Sequence, residues 1–252
     1  MIDMRKIGLD GFLAVYMKEL RNYFNSLIAY VVILVFLTSL GLYTWVFPDT
    51  VFDGGVADLY NMFNSTWIVF LFLIPAITMG AFAEENKTGT IELLFTKPLT
   101  DWQIIIGKNL AAFTLVLFAL VPTGFYVYTV YQLGDPIGNL DIAATIGSYI
   151  GIVLLAFAFT SIGIFTSSLT SNQIVAFVFS LFLSLFMFDG ISYTATIFNW
   201  SAYSYEVSSL GLNVHYNNLS KGLIDIKDVV YMISFSFFFL VATRLVLVSR
   251  KW

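Results

Sequence analysis

Five strongly apolar stretches of this chain run without one Asp, Glu, Lys or Arg: 22–48, 59–83, 109–134, 142–188 and 229–243. About 20 predominantly apolar residues carry a helix across a bilayer. The first three stretches fit one span each. The fourth is 47 residues long and fits two, parted at the polar patch TSSLTSNQ of Thr166–Gln173. The fifth is short, but Arg244 can reach back to the interface and let the helix continue toward Val248. The expected fold is an all-α polytopic membrane protein, a single domain over 1–252. Its six spans fall at about 27–47, 59–83, 104–133, 142–166, 173–195 and 228–248. Charged residues make up 11% of the chain, against about a quarter in soluble domains. A β-barrel would alternate in segments of about ten residues, and these runs are continuous. The first run also begins too late, and is too long, for a cleaved signal peptide, so none is expected.

The charges between the runs are sorted by sign. Arg5, Lys6, Lys18 and Arg21 precede span one, Lys87, Lys97 and Lys108 lie between spans two and three, and Arg244, Arg250 and Lys251 close span six. With six alternating spans, these 10 of the 12 basic residues share one side. The other side has Lys221 and Lys227 beside Asp49, Asp53, Asp58, Asp135, Asp141, Glu206, Asp225 and Asp228. The positive-inside rule then puts both termini in the cytoplasm, and an odd number of spans would scramble the sorting. Trp45 and Trp200 fall near the outer interface, Trp102 and Trp252 near the inner one. Residues 10–26 read as an amphipathic helix on the membrane surface. Phe12, Tyr16, Leu20, Tyr23 and Leu27 line one face; Lys18, Arg21, Asn22 and Asn25 line the other.

The spans themselves offer little chemistry. None carries an ionisable residue at mid-depth, which disfavours a stand-alone ion-coupled transporter. Asp189 and Arg244 read as interface residues. No span holds a histidine or lysine at mid-depth to activate a serine, which disfavours an intramembrane serine protease. The only histidine, His215, sits in the outer connection before span six, and there is no cysteine. No metal site, cofactor motif or nucleotide-binding glycine loop is expected, and no catalytic residue. Small residues do recur at four-residue spacing: Gly147 and Gly151 in span four, and Ala176, Ser180 and Ser184 in span five. Such positions let helices approach closely in lipid, within the chain or between chains. Pro75 and Pro122 are expected to kink spans two and three.

The polar segment 84–103 is punctuated differently. Gly89 breaks the chain, Thr90 is placed to cap a short helix over Ile91–Thr96, and Pro98 ends it. Thr100 and Gln103 then form a T-x-x-Q capping box for the next helix. A short rigid helix joined to two spans can pass a push from a partner to both.

The run EENKTGTIELLFTKPL at Glu84–Leu99 resembles the segment after the second span of ABC-2-type permeases, the membrane subunits of certain ATP-binding-cassette transporters. GIFTSSLTSNQIVA at Gly163–Ala176 and KELRNYFNSL at Lys18–Leu27 are similar to other parts of that family. The resemblance implies a coupling helix that docks on a separate ABC ATPase subunit, through Glu84, Glu85, Thr88, Gly89, Thr90, Glu92 and Leu93. It implies a secondary contact at Ser168–Asn172, with Ser168, Thr170 and Asn172 as its named residues. ATP and Mg would be bound by that partner, and this chain would hold no cofactor. A second permease subunit, identical or homologous, would sit beside it in the lipids of the bacterial inner membrane, with any translocation path along spans two and five; no nucleic acid is implied. FLIPAITM at Phe72–Met79, LLFTKPLTDWQI at Leu93–Ile104 and NQIVAF at Asn172–Phe177 are similar to gliding-motility-associated permeases. That finer likeness leaves two readings: movement of an unknown substrate, or ATPase-driven mechanical or assembly work that passes none.

Overall fold

The computed structural model describes residues 4–47, 50–52, 57–197, 204–222 and 224–250. Asp49, Asp53, Trp200, Lys251 and Trp252, singled out above, lie outside the described residues. Helices make up 84% of the structure, and the described residues form no strand. Helix α1 (Met4–Asn25) precedes α2 (Leu27–Trp45). Helices α3 (Tyr60–Thr78) and α4 (Gly80–Thr88) form one bent rod, followed by the short α5 (Thr90–Phe95). Helix α6 (Asp101–Leu120) continues through a 3-10 turn at Val121–Thr123 into α7 (Gly124–Leu133). Helix α8 (Ile142–Leu169) is followed by α9 (Gln173–Leu185), a π turn (Phe186–Gly190) and α10 (Ile191–Ile197). Helices α11 (Ser204–Ser208) and α12 (Leu212–Ser220) lead to α13 (Ile226–Ser249).

Six rods are long and apolar enough to cross a membrane: Leu27–Trp45, Tyr60–Thr88, Asp101–Leu133, Ile142–Leu169, Gln173–Thr194 and Ile226–Ser249. The polar patch parts spans four and five as expected, because Asn172 leaves the helical region and its Oδ1 accepts from the Ile174 N–H at 2.9 Å to start α9. Span two runs five residues beyond the expected end at residue 83, because nothing between Gly80 and Gly89 ends its second helix. Pro122 is the second residue of the 3-10 turn in span three. Arg244 lies six residues before Arg250, the C-cap of α13, its guanidinium 5.5 Å from the Trp102 ring centroid.

Helix α1 is separate from span one, since Ser26 is extended (φ −98°, ψ 153°). It begins earlier than the amphipathic pattern suggested and packs along α6. Phe12, Tyr16, Leu20 and Tyr23 are half-buried there, joined by the buried Val15. Leu27 does not belong to that face: it is the first residue of α2 and 81% exposed, because the break at Ser26 resets the helical phase.

Helix α8 is the central post, packed by α3, α4, α6, α9, α12 and α13. Its small residues set the approach distances. A Cβ at Gly163 would stand 2.0 Å from Thr78 Oγ1, so only glycine lets span four meet span two here. A Cβ at Gly147 would stand 2.5 Å from the Leu219 carbonyl, and one at Gly151 3.2 Å from Leu219 Cβ. The G-x-x-x-G pair therefore seats α12 inside the chain. Tyr216 of α12 is buried, and its hydroxyl donates to the Phe63 carbonyl at 2.6 Å, closing the bundle between spans two and four. Ala176, Ser180 and Ser184 are likewise buried on the side of α9 that meets α3 and α8. The opposite face of α9, with Ile174, Phe179 and Phe182, is exposed, as are Leu27, Val31 and Leu34 on α2.

Candidate functional site

The arginine- and lysine-rich end of the bundle carries the segment that the sequence marks out. Gly89 ends α4 in the left-handed region (φ 71°), a conformation that favours glycine, and its amide plane turns the chain into α5. The cap differs from expectation. Gly89, not Thr90, holds the N-cap position of α5, and Thr90 is the first helical residue. The Thr90 hydroxyl pairs instead with that of Thr88 at 2.9 Å, which places the two threonines across the joint. The capping box of α6 forms as expected: the Gln103 N–H donates to Thr100 Oγ1 at 3.3 Å, and the Thr100 N–H to Gln103 Oε1 at 2.8 Å.

Helix α5 therefore lies between the Gly89 turn and the capped start of α6, and its sides differ. Ile91 and Leu94, with Leu99 and Trp102 beyond it, pack on a small core of Phe82, Ile104, Ile105 and Leu247. Glu92 and Leu93 face outward, Leu93 being 64% exposed. Glu84, Thr88, Gly89 and Thr90 are exposed as well. Glu85 is not available in the same way, because its carboxylate turns inward to a buried lysine.

That lysine, Lys108 of α6, has a side chain only 3% exposed and was not read from the sequence as a site residue. Its ammonium donates to Glu85 Oε1 at 2.9 Å, Glu19 Oε1 at 3.0 Å and the Ala81 carbonyl at 2.7 Å. An ammonium has three donors, and all three are used. Lys18 stands 3.7 Å from the Glu85 and 3.6 Å from the Glu19 carboxylate at the rim. Helices α1, α4 and α6 therefore meet on one nitrogen. Nearby, Tyr23 of α1 donates to the Ile77 carbonyl at 3.2 Å. Burial, and then the Glu19 carboxylate, push its phenol well above the usual tyrosine range.

Ser167 supplies a second tie, between span two and span four. Its hydroxyl donates to the Met79 carbonyl at 2.9 Å and accepts from the Ala83 N–H at 3.1 Å and the Phe82 N–H at 3.0 Å. A straight helix would join Met79 and Ala83 directly. The inserted hydroxyl, four residues beyond Pro75, is where span two bends. Asn86 adds a bond from its Nδ2 to the Thr170 carbonyl at 3.1 Å. The stretches Glu84–Leu99 and Gly163–Ala176, distant in sequence, are in contact.

At that second turn the expected residues separate. Ser168 is fully buried with its hydroxyl on the Phe165 carbonyl, so its side chain presents nothing to a partner; the last turn of α8 faces the bundle there. Thr170 is half-buried and accepts from the Asn172 N–H at 3.1 Å. Asn172 is exposed, as are Leu169 and Ser171.

Residues 13–249 match the family model described as ABC-2 family transporter protein. Over 158 residues the chain is 26% identical to "Probable multidrug ABC transporter permease YbhR" of Escherichia coli strain K12, covering 62% of this chain and 40% of that one. Over 147 residues it is 29% identical to "Inner membrane transport permease YhhJ" of the same strain, covering 56% and 35%. Each match spans less than half the length of the relative.

Proposed function

The chain belongs to the ABC-2 family of transporter proteins, and on that premise we propose that it is a membrane permease subunit whose helix α5 receives work from a separate ATPase subunit. The observation that carries this reading is mechanical. Helix α5 exposes Glu92 and Leu93, is joined to α4 through the single residue Gly89, and leads through residues 96–100 to the capped start of α6. Ser167 splices α4 to α8, and Lys108 joins α4 and α6 to α1. A push on α5 passes through the Gly89 turn to α4 and span two, and from α4 through Lys108 and Ser167 to span three, the entry helix and span four.

In this reading the basic end faces the cytoplasm of a bacterial inner membrane, and the partner chain, not this one, binds ATP and Mg. The exposed apolar faces of α2 and α9 meet lipid and a second permease subunit. The relatives named for multidrug and inner-membrane transport support movement of a substrate. The likeness of residues 72–79, 93–104 and 172–177 to gliding-motility-associated permeases supports a role in that process.

Co-expression with the cognate ATPase tests the docking. Glu92→Arg and Gly89→Pro should each lose the co-purifying ATPase while the permease still reaches the membrane. Wild-type recovery of the ATPase by both variants would remove α5 from the interface.

A further inference from the structure

The chain has one histidine, and the coupling mechanism does not use it. His215 of α12, its side chain 13% exposed, meets Asp228 in the first turn of α13, 7% exposed. Its Nδ1 lies 2.6 Å from Asp228 Oδ1 and its Nε2 2.8 Å from the Ser209 carbonyl. The second carboxylate oxygen, Asp228 Oδ2, accepts from Asn218 Nδ2 at 3.2 Å. The imidazole ring stacks on Tyr231 of α13, with 3.9 Å between centroids.

These partners fix a proton count. A backbone carbonyl only accepts, so Nε2 must carry a hydrogen to bond Ser209. A carboxylate only accepts as well, so Nδ1 must carry another. A neutral imidazole has a single N–H and serves one of the two; the imidazolium serves both. Loss of the proton turns a nitrogen lone pair toward an oxygen. The carboxylate keeps the remaining N–H through the stronger, charge-assisted bond, and the Ser209 carbonyl is left without its donor.

What the proton holds is a turn. Residues 208–210 lead from α11 into α12, and each of their carbonyls is tied to a different helix. Ser192 of α10 donates to Ser208 at 3.4 Å, His215 of α12 to Ser209, and Tyr231 of α13 to Leu210 at 2.5 Å. The turn thus bridges the end of span five and the start of span six. Only the middle tie changes its proton near neutral pH. The neighbouring charges are directed elsewhere. Glu206 of α11, Lys221 after α12, and Asp225 and Lys227 at the start of α13 are exposed, and Asp189 of the π turn accepts from Asn213. Helix α8, which also packs on α12, carries no Asp, Glu, Lys or Arg, and its Tyr149 pairs with Thr123.

We propose that His215 is a proton-operated latch, whose imidazolium clamps the α11–α12 turn onto span six and whose deprotonation frees the Ser209 carbonyl and loosens the turn. Closing takes up a proton, so acid favours the closed turn and rising pH opens it. This inference stands independently of the ATPase reading.

The test uses the purified full chain in nanodiscs, without a histidine tag. Because His215 is the only histidine, ring nitrogen-15 labelling gives NMR signals from this residue alone. Both ring nitrogens should read as protonated in acid, and one should lose its proton as pH is raised from about 5 to about 9, a range that brackets the ordinary histidine titration. Opening is read by methanethiosulfonate labelling of Leu212→Cys, a fully buried position beside the turn, relative to the exposed Ile137→Cys. That ratio should rise about tenfold or more over the same range, since a one-proton equilibrium changes by up to about tenfold per pH unit. His215→Gln in the same background should label fast at both ends of the range. Tyr231→Phe, which loses only the Leu210 tie, should keep the pH dependence. The NMR measurement needs no substitution and decides the matter if the variants misfold. A ring with one protonated nitrogen throughout, a labelling ratio that does not change with pH, or a pH dependence retained in His215→Gln would overturn the proposal.

Discussion

Lys108 Nζ lies 2.9 Å from Glu85 Oε1, with the lysine side chain 3% and the glutamate side chain 16% exposed. The pair joins α6 to α4, the two helices that flank α5. Removing one partner of such a pair leaves a buried charge uncompensated, at a cost of about 3–5 kcal/mol. The Glu85 Oε2 atom is already buried without a hydrogen-bond partner, and only the exposed Lys18, 3.7 Å from Glu85 Oε1, would remain beside the carboxylate. Lys108→Met should therefore destabilise the protein by about 3 kcal/mol, read as a lowered thermal midpoint in detergent. Lys18→Met, at a rim lysine 57% exposed, should cost under about 1 kcal/mol. Equal midpoints for the two variants would contradict the assignment.

Gly163→Ala puts a methyl 2.0 Å from Thr78 Oγ1 and 2.7 Å from Thr78 Cβ. Spans two and four must part to admit it, an overpacking cost of about 1–3 kcal/mol. Thr78→Ala removes the nearer atom, so the double variant should recover part of the loss in the same unfolding assay. Additive losses would show that the contact is not the cause.

Gly147 and Gly151 should respond unequally. A Cβ at Gly147 meets the Leu219 backbone carbonyl at 2.5 Å, whereas one at Gly151 meets side-chain atoms at 3.2 Å or more, which can shift. Gly147→Ala is expected to unseat α12 and speed proteolysis of the connection before span six. Gly151→Ala should leave the cleavage rate near wild type. Faster cleavage in Gly151→Ala than in Gly147→Ala would reverse the assignment of the seat.

The absence of cysteine makes the topology directly readable. Ile137, 69% exposed between α7 and α8, and Leu93 lie at opposite ends of the bundle. An impermeant maleimide on intact cells should label Ile137→Cys and reach Leu93→Cys only after permeabilisation. The opposite labelling would invert the membrane orientation.

Much of this architecture is legible in the sequence because its signals are local. Uncharged length fixes the six spans, and the capping box at Thr100 and Gln103 needs only four consecutive residues. The charge cluster is different in kind. Lys108, Glu85 and Glu19 each stand at the end of an apolar run, where they serve equally well as topology signals. Their convergence depends on α1 folding back along α6, which residues 89 positions apart cannot announce. Ser167 looked like one serine in a polar patch, and its insertion between Met79 and Ala83 exists only once spans two and four are side by side. Ser168 and Glu85 were expected at the partner surface for the same reason: proximity to a turn does not say which way a side chain points.

The most direct test of the account is disulfide trapping between α5 and the ATPase. Leu93→Cys, in an otherwise cysteine-free chain, is paired with single cysteines scanned over the ATPase surface, with Leu169→Cys at the second turn and Ile137→Cys at the far end as comparisons. The account predicts rapid, ATP-sensitive cross-linking at position 93, weaker cross-linking at 169 and none at 137. Cross-linking at 169 with none at 93 would contradict α5 as the helix that receives the work.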